Sequence, residues 1–138
     1  MRRVLLLIVV LSLGFAPAPF PKQRRADDSQ RDLQAMQGKW TAEFADSASI
    51  TIVGDRMVYT ADSGWKFTLN AKTTPKRIEA LGVGPRLAGK TRLGIYRLEK
   101  DKLTICWRQD SVSKPDWPMS FEPAQKDVWI EVFTPVKP

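Results

Sequence analysis

The sequence predicts an all-β domain: a small antiparallel up-and-down barrel of about eight strands, preceded by one short helix. Three observations predict it. Apolar and polar residues alternate from Trp40 onward, turn-forming residues separate the apolar runs, and the gaps between the runs have the length of hairpins. Strands spaced in this way form an antiparallel meander that closes into a barrel or folds into a sandwich. We favour the barrel, because closure removes the exposed edges of the sheet.

Residues 1–18 have the features of an export signal. Two arginines are followed by an uncharged apolar run and then by Ala16-Pro17-Ala18, the order of a secretory signal and its cleavage site. The apolar run is shorter than the roughly 17–25 residues of a membrane-spanning helix, which argues against the alternative of a single membrane anchor. Cleavage after Ala18 would leave Pro19 at the new terminus, where a tertiary amide fits an extended peptidase cleft poorly. We expect an exported protein, periplasmic or extracellular, whose signal is cut elsewhere or retained as an uncleaved N-terminal segment.

A linker and a single domain follow the signal. Residues 19–28 include prolines and adjacent basic residues, which is typical of a linker. Residues 29–138 suit one domain with a small core. Cys106 is the only cysteine, so no internal disulfide can form and the core alone must hold an exported domain together.

The domain is predicted to begin with a helix over residues 29–38. Ser29 and Asp32 match the pattern of a capping box, Leu33 and Met36 share one helical face, and Gly38 stands where a helix ends.

The strands are predicted from the period-two pattern that follows. The turn signals between them include Gly54-Asp55, Thr73-Thr74-Pro75 and Glu99-Lys100-Asp101. We expect strands over residues 40–44, 49–53, 57–61, 65–70, 77–81, 92–99, 102–108 and 128–134.

Residues 84–91 read GPRLAGKT and satisfy the phosphate-binding pattern G-x-x-x-x-G-K-[ST]. Such a loop works because it leads into a helix, whose free N–H groups and dipole hold the phosphates. The residues that follow include Gly94, Ile95 and Tyr96, which are poor helix formers. We therefore predict a loop between two strands and no nucleotide binding. An α-helix over residues 91–98 would contradict this interpretation.

The composition argues against most enzyme chemistry. The chain contains no histidine, which excludes histidine-based triads and histidine metal sites. Strand alternation places Cys106 on the face opposite Leu103, Ile105 and Trp107, and without a histidine to activate it we interpret it as a packed or interfacial thiol. The enzyme alternatives are a nucleotide hydrolase and an acid–base hydrolase with two carboxylates, but no spacing forces two carboxylates together. We expect no enzyme activity, no catalytic residue, no cofactor and no metal.

Gly38-Lys39-Trp40, placed after the helix, resembles the G-x-W signature of lipocalins, in which the tryptophan closes one end of the barrel. Most of the chain after the signal is also similar to a family of small exported lipocalin-like domains common in planctomycete bacteria. Residues 33–40, 52–55, 74–79 and especially 94–107 carry this resemblance. It implies the barrel fold and an export route, and it brings no established activity with it.

Two hypotheses for the function follow. The first is that the protein binds a small apolar or amphipathic ligand in the barrel. The second is an envelope interaction module that has a filled barrel and binds an anionic polymer through a basic outer face. The net charge of +7 is spread along the chain, which favours diffuse attraction to anions; nucleic acid is not expected for an exported chain. Alternation suggests eight lining residues, of which the two arginines would meet an anionic headgroup: Phe44, Tyr59, Trp65, Phe67, Arg92, Tyr96, Arg97 and Trp107.

Five tryptophans are many for a chain of this size. Large rings supply the burial that a small domain needs. We expect most of them in the core or at a barrel end, and one or two beside a pocket.

Overall fold

A computed structural model describes residues 27–43, 49–60, 63–108, 116–123 and 127–137. The predicted signal, residues 19–26 of the predicted linker and Phe44 lie outside these ranges. The described residues form a helix and eight strands: α1 (Asp28–Ala35), β1 (Gly38–Ala42), β2 (Ser49–Val53), β3 (Arg56–Thr60), β4 (Ser63–Asn70), β5 (Lys76–Val83), β6 (Thr91–Glu99), β7 (Lys102–Arg108) and β8 (Val128–Pro135). No helix within these ranges is long and apolar enough to cross a membrane.

The eight strands form a closed antiparallel barrel in chain order. Each strand pairs with the next, and β1 also pairs with β8 from Trp40 opposite Pro135 to Ala42 opposite Phe133. The predicted all-β up-and-down barrel is therefore confirmed, and the sandwich alternative is wrong. Residues 91–99 form β6, so the strand predicted after GPRLAGKT is confirmed as well.

Large apolar side chains fill the inside of the barrel. Alternation gives β5 its pattern, with Ile78 and Ala80 buried while their chain neighbours are exposed. The inward side chains of the other strands join them in one cluster, in which each member is at most 3% exposed. Its larger members include Trp40, Ile50, Ile52, Met57, Phe67, Leu103, Ile105 and Phe133.

Helix α1 covers one end of the barrel. Met36, just after the helix, is fully buried, and its carbonyl oxygen accepts a 2.8 Å hydrogen bond from Trp40 Nε1. Asp32 Oδ2 accepts two further bonds of 2.7 Å each, one from Lys76 Nζ and one from the Tyr96 hydroxyl. These contacts join the helix to β1, β5 and β6. The opposite end, where β2, β4, β6 and β8 begin and where the described residues include no helix, is named here the open end.

The start of α1 differs from the prediction. Asp27 occupies the N-cap position, and its side chain makes no capping hydrogen bond. Ser29 lies inside the helix, and its hydroxyl oxygen accepts the N–H of Ala71 at 3.1 Å. The predicted capping box is therefore wrong, because Ser29 bonds the turn after β4 instead of its own helix. The shared face of Leu33 and Met36 is confirmed, since both side chains pack on the core.

Residues 116–123, named here the strap, lie across the outside of β5, β6 and β7. The guanidinium carbons of Arg77 and Arg97 lie 5.0 Å from the ring centres of Trp117 and Phe121, respectively. Arg108 donates hydrogen bonds of 3.0 and 3.3 Å to two carbonyl oxygens of the strap. Arginines from three neighbouring strands therefore hold this segment against the barrel wall.

The strap forms a second, smaller core on the outside of the barrel. Ile95 and Cys106 are cross-strand neighbours that face away from the interior, yet both are fully buried. Pro118 of the strap is fully buried too. Cys106 is therefore a packed thiol on the face predicted for it.

Candidate functional site

The structure separates the predicted lining residues into three groups. Four of them, Tyr59, Trp65, Arg92 and Trp107, come together inside the open end. Phe67 and Tyr96 also face inward but lie deeper, where both are buried. The deeper position of Tyr96 is fixed by its hydrogen bond to Asp32 beside α1.

Arg97 is not a lining residue, contrary to the prediction. Its side chain is exposed on the outer face, where it contacts Phe121 of the strap. The reason is the alternation along β6, which directs Arg92, Gly94 and Tyr96 inward and therefore directs Arg97 outward. Only one of the two predicted arginines is placed to meet a ligand inside the barrel.

Two members of the open-end site were missed at the level of sequence. Trp129 lies opposite Trp107, and Glu131 lies opposite Ile105, so both face the interior from β8. A signal was present in the run Trp129-Ile130-Glu131-Val132-Phe133. The carboxylate stands in the same alternation phase as two aromatic residues, and a charged residue in an inward phase marks a site that needs a partner.

Arg92 lies between two tryptophans. Its guanidinium carbon is 4.3 Å from the ring centre of Trp65 and 4.8 Å from that of Trp129. Both distances fall within the roughly 6 Å over which a cation is attracted to the face of an aromatic ring. All three residues lie within the first three positions of their strands. They therefore meet at the level of the open end.

Glu131 is held by two donors just below this level. Its Oε2 atom accepts a 2.8 Å bond from Trp107 Nε1 and a 3.2 Å bond from the Tyr59 hydroxyl. Burial raises the pKa of Tyr59 well above its ordinary value of 10.0; the charge of Glu131 and their hydrogen bond raise it further, and Arg92 opposes the shift. At neutral pH the Tyr59 hydroxyl is therefore a donor and Glu131 is its acceptor.

We refer to these side chains together as the mouth cluster, which comprises Tyr59, Trp65, Arg92, Trp107, Trp129 and Glu131. Trp65 and Trp107 are almost fully buried, at 3% and 1% exposed, and form its floor. The other four side chains are only partly buried. Below the floor, the packed core fills the barrel. A ligand at this end would therefore meet charged and aromatic side chains above a filled interior.

The GPRLAGKT loop connects β5 to β6 at the same end. The Gly84 carbonyl accepts the N–H groups of Leu87 and Ala88 at 3.2 and 2.9 Å, and Gly82 N–H donates to the Lys90 carbonyl at 2.8 Å. A Cβ atom on Gly82 would lie 2.0 Å from the Leu87 oxygen, so the loop folds tightly against β5. The glycines shape a turn that leads into a strand, and the helix N-terminus that a phosphate cradle requires does not follow it.

Comparisons with protein-family models, with curated proteins and with solved structures find no match to this chain. Within the described ranges, no three acidic or cysteine side chains converge in a way that could hold a metal ion.

Proposed function

We propose that this protein is a non-enzymatic binding protein that holds a small amphipathic molecule with an anionic headgroup at the open end of the barrel. The observation that carries the proposal is that two residues of opposite charge, Arg92 and Glu131, lie among three tryptophans at the end of a barrel whose described core cluster contains no charged side chain. Burying charge costs free energy unless it is compensated, and apolar residues would satisfy the strand pattern equally well. Concave apolar sites with a few convergent polar groups are where small ligands bind.

The arrangement of charge favours an anionic headgroup. Glu131 is the fourth residue of β8, and its Oε2 atom already accepts two hydrogen bonds. Arg92 is the second residue of β6 and so lies closer to the rim. Ring contacts use the face of a guanidinium, whereas carboxylates bind along its edge. Both interactions are therefore compatible with one arginine.

The shape of the site favours a shallow binding mode. Trp65 and Trp129 lie on the two sides of Arg92, and of these two indoles the partly buried Trp129 offers apolar surface to a ligand. The nearly complete burial of Trp65, Phe67 and Trp107 leaves the deeper interior to the protein's own side chains. We expect the apolar part of the ligand to lie across the rim and not along the barrel axis.

The test compares three probes with the same chain and different heads: dodecanoate, dodecyltrimethylammonium and dodecanol, each below its micelle concentration. We expect the purified protein to bind dodecanoate best in a calorimetric titration. Arg92→Gln should weaken this binding roughly tenfold or more, the value of a charge-assisted hydrogen bond. Arg97→Gln, an equal change of charge on the outer face, is the control. Equal affinity for the three probes, or equal losses in the two variants, would refute the proposal.

A second candidate function is supported by the filled interior. A barrel packed with its own side chains leaves little room for a ligand inside, which favours recognition on the outer face. Such a module would bind an anionic envelope polymer with an affinity that falls steeply as salt rises. Its binding would survive Arg92→Gln, which separates it from the mouth-cluster proposal.

For both candidate functions we also propose that the protein is located outside the cytoplasm. It rests on the signal-like residues 1–18 and on the resemblance to exported lipocalin-like domains. Mass determination of the protein recovered from its producing cells tests it. We expect to recover the protein from the periplasmic or extracellular fraction, whether the N-terminal segment has been removed or retained. Exclusive recovery from the cytoplasm would contradict export.

A further inference from the structure

Two neighbouring clefts open on the outer surface, one beside Trp117 and one beside Phe121 of the strap. The first, of about 230 Å³, lies at Trp117 and is bordered by Asn70, Arg77 and Glu79. The second, of about 330 Å³, lies at Phe121 and is bordered by the turn after β4 and by Arg97. Both clefts share the hairpin of β4 and β5 as one wall. Together they are named here the strap groove.

The lining of the strap groove includes three basic residues, Lys76, Arg77 and Arg97, and one acidic residue, Glu79. Arg77 and Arg97 are exposed, and each lies 5.0 Å from the centre of a strap ring. Among the described residues, neither guanidinium has a hydrogen-bond or ion-pair partner. Ring contacts fix the position of each cation while its N–H donors stay available. Glu79 and Asn70, which also line the first cleft, add hydrogen-bond acceptors beside Trp117.

We propose that the strap groove binds an acidic oligosaccharide, such as a chain of uronic acids. The electron-rich faces of aromatic rings attract the C–H groups of a sugar ring, and its carboxylate pairs with an arginine edge. Sugar hydroxyls both donate and accept, so they can bond both Glu79 and the amide of Asn70, whose Oδ1 already accepts the Lys72 N–H at 3.1 Å. A peptide of acidic residues is a poorer fit, because it has no ring of C–H groups to lie against Trp117 and Phe121. This inference locates the second candidate function on the molecule and is independent of the mouth cluster.

The probe for the test is tetragalacturonate, with a neutral glucose tetramer and a short polyglutamate as comparison ligands, all titrated calorimetrically at low salt. We expect the protein to bind tetragalacturonate in preference to both comparison ligands. The double variant Arg77→Gln/Arg97→Gln should weaken that binding roughly tenfold or more. The control Lys39→Gln/Arg56→Gln removes two exposed cations from β1 and β3 and should leave it within about twofold, as expected for distant surface charges.

Glu79→Ala separates sugar recognition from simple charge attraction, and it leaves the contacts of the strap in place. If Glu79 accepts a sugar hydroxyl, its loss weakens binding several-fold, roughly the value of one hydrogen bond. If the groove only attracts anions, removing a negative charge strengthens binding and the proposal fails.

Three other results would also overturn the proposal that the strap groove binds an acidic oligosaccharide. They are no binding of tetragalacturonate, equal binding of polyglutamate, and equal losses of affinity in the two double variants. Loss of tetragalacturonate binding in Arg92→Gln would move the sugar to the mouth cluster. Because dodecanoate reports on the mouth cluster separately, the failure of one site is distinguishable from the failure of the other.

Discussion

Gly94 lets an indole occupy the barrel interior. A Cβ atom at this position would lie 2.7 Å from Cε3 of Trp107, 2.9 Å from the Cys106 oxygen and 3.1 Å from a methyl carbon of Ile78. The glycine is therefore needed for space. Since the same indole donates to Glu131, the size of one residue on β6 helps to set the floor of the mouth cluster.

We expect Gly94→Ala to destabilise the protein by about 1–3 kcal/mol, the cost of overpacking a core. Unfolding in urea, followed by far-ultraviolet circular dichroism, measures the loss. In a Trp107→Leu background the same substitution should cost less, because the clash with the ring is gone while the contact with the Cys106 oxygen remains. Equal costs in the two backgrounds would show that the indole is not the neighbour that matters.

Tyr59 and Tyr96, the only tyrosines in the chain, both donate to carboxylates from half-buried or buried positions. Burial is the main cause that raises the pKa of each above its ordinary value of 10.0, and the bonded carboxylate, Glu131 or Asp32, raises it further. The native state therefore keeps protons that the unfolded chain loses above pH 10. This contribution to stability is fully present below pH 10 and declines as the pH rises beyond it.

Alkaline titration tests this directly. We expect no tyrosinate absorbance near pH 10 in the native protein; the signal should appear only when alkaline unfolding sets in. In Asp32→Asn, which removes the charge beside Tyr96, one tyrosine should ionise at lower pH than in the parent protein. A normal transition of one or both tyrosines near pH 10 in the parent protein would show that these hydroxyls are not held as described.

At the scale of elements, strands could be predicted well and the other segments less well. A strand of this barrel is specified by its own alternation, as Trp65, Phe67 and Leu69 show on β4. The start of α1 could not be predicted, because Ser29 bonds a residue 42 positions away and local capping rules do not include such a partner. The strap carries no periodic pattern that would predict its place. Its position depends on arginines from three strands, and such partners cannot be identified from the strap's own sequence.

The strap should protect the thiol beneath it. Burial raises the pKa of Cys106, although Arg108 lowers it in part, and the thiolate is the reactive form. We expect Cys106 in the native protein to react slowly with an aromatic disulfide reagent. Trp117→Ala removes the ring that contacts Arg77 and should speed the reaction.

Trp129→Ala is the matched control for this measurement, because it removes an indole of equal size from the open end and leaves the strap intact. Equal rates in the two variants would mean that the strap is not what covers the thiol. Reaction of the unfolded protein in urea gives the upper limit for comparison.

At the scale of the whole molecule, the barrel places five tryptophans in three separate environments. Trp40 lies at the end covered by α1, Trp117 lies on the strap, and Trp65, Trp107 and Trp129 belong to the mouth cluster. The sequence predicts the closed barrel because closure satisfies every strand edge. It leaves open which tryptophans plug an end and which line a site.

The candidate site was predictable in part for the same reason. Alternation correctly placed Tyr59, Trp65, Arg92 and Trp107 inside, and consistent use of it would have placed Arg97 outside. Depth along the barrel axis is a different matter, because it depends on the stagger between strands and not on a single strand's pattern. Phe67 was therefore grouped with residues that lie nearer the rim.

Binding of an anionic amphipathic molecule at the mouth cluster would change the surroundings of particular indoles, and the indole N–H region of a ¹H–¹⁵N correlation spectrum reports on each of them separately. The five indole signals are assigned by substituting each tryptophan, and the protein is then titrated with dodecanoate. We predict that the signals of Trp65 and Trp129 shift in a saturable manner that Arg92→Gln suppresses, while those of Trp40 and Trp117 stay in place. Saturable shifts confined to Trp40 or Trp117, or no shift of any indole, would contradict the account.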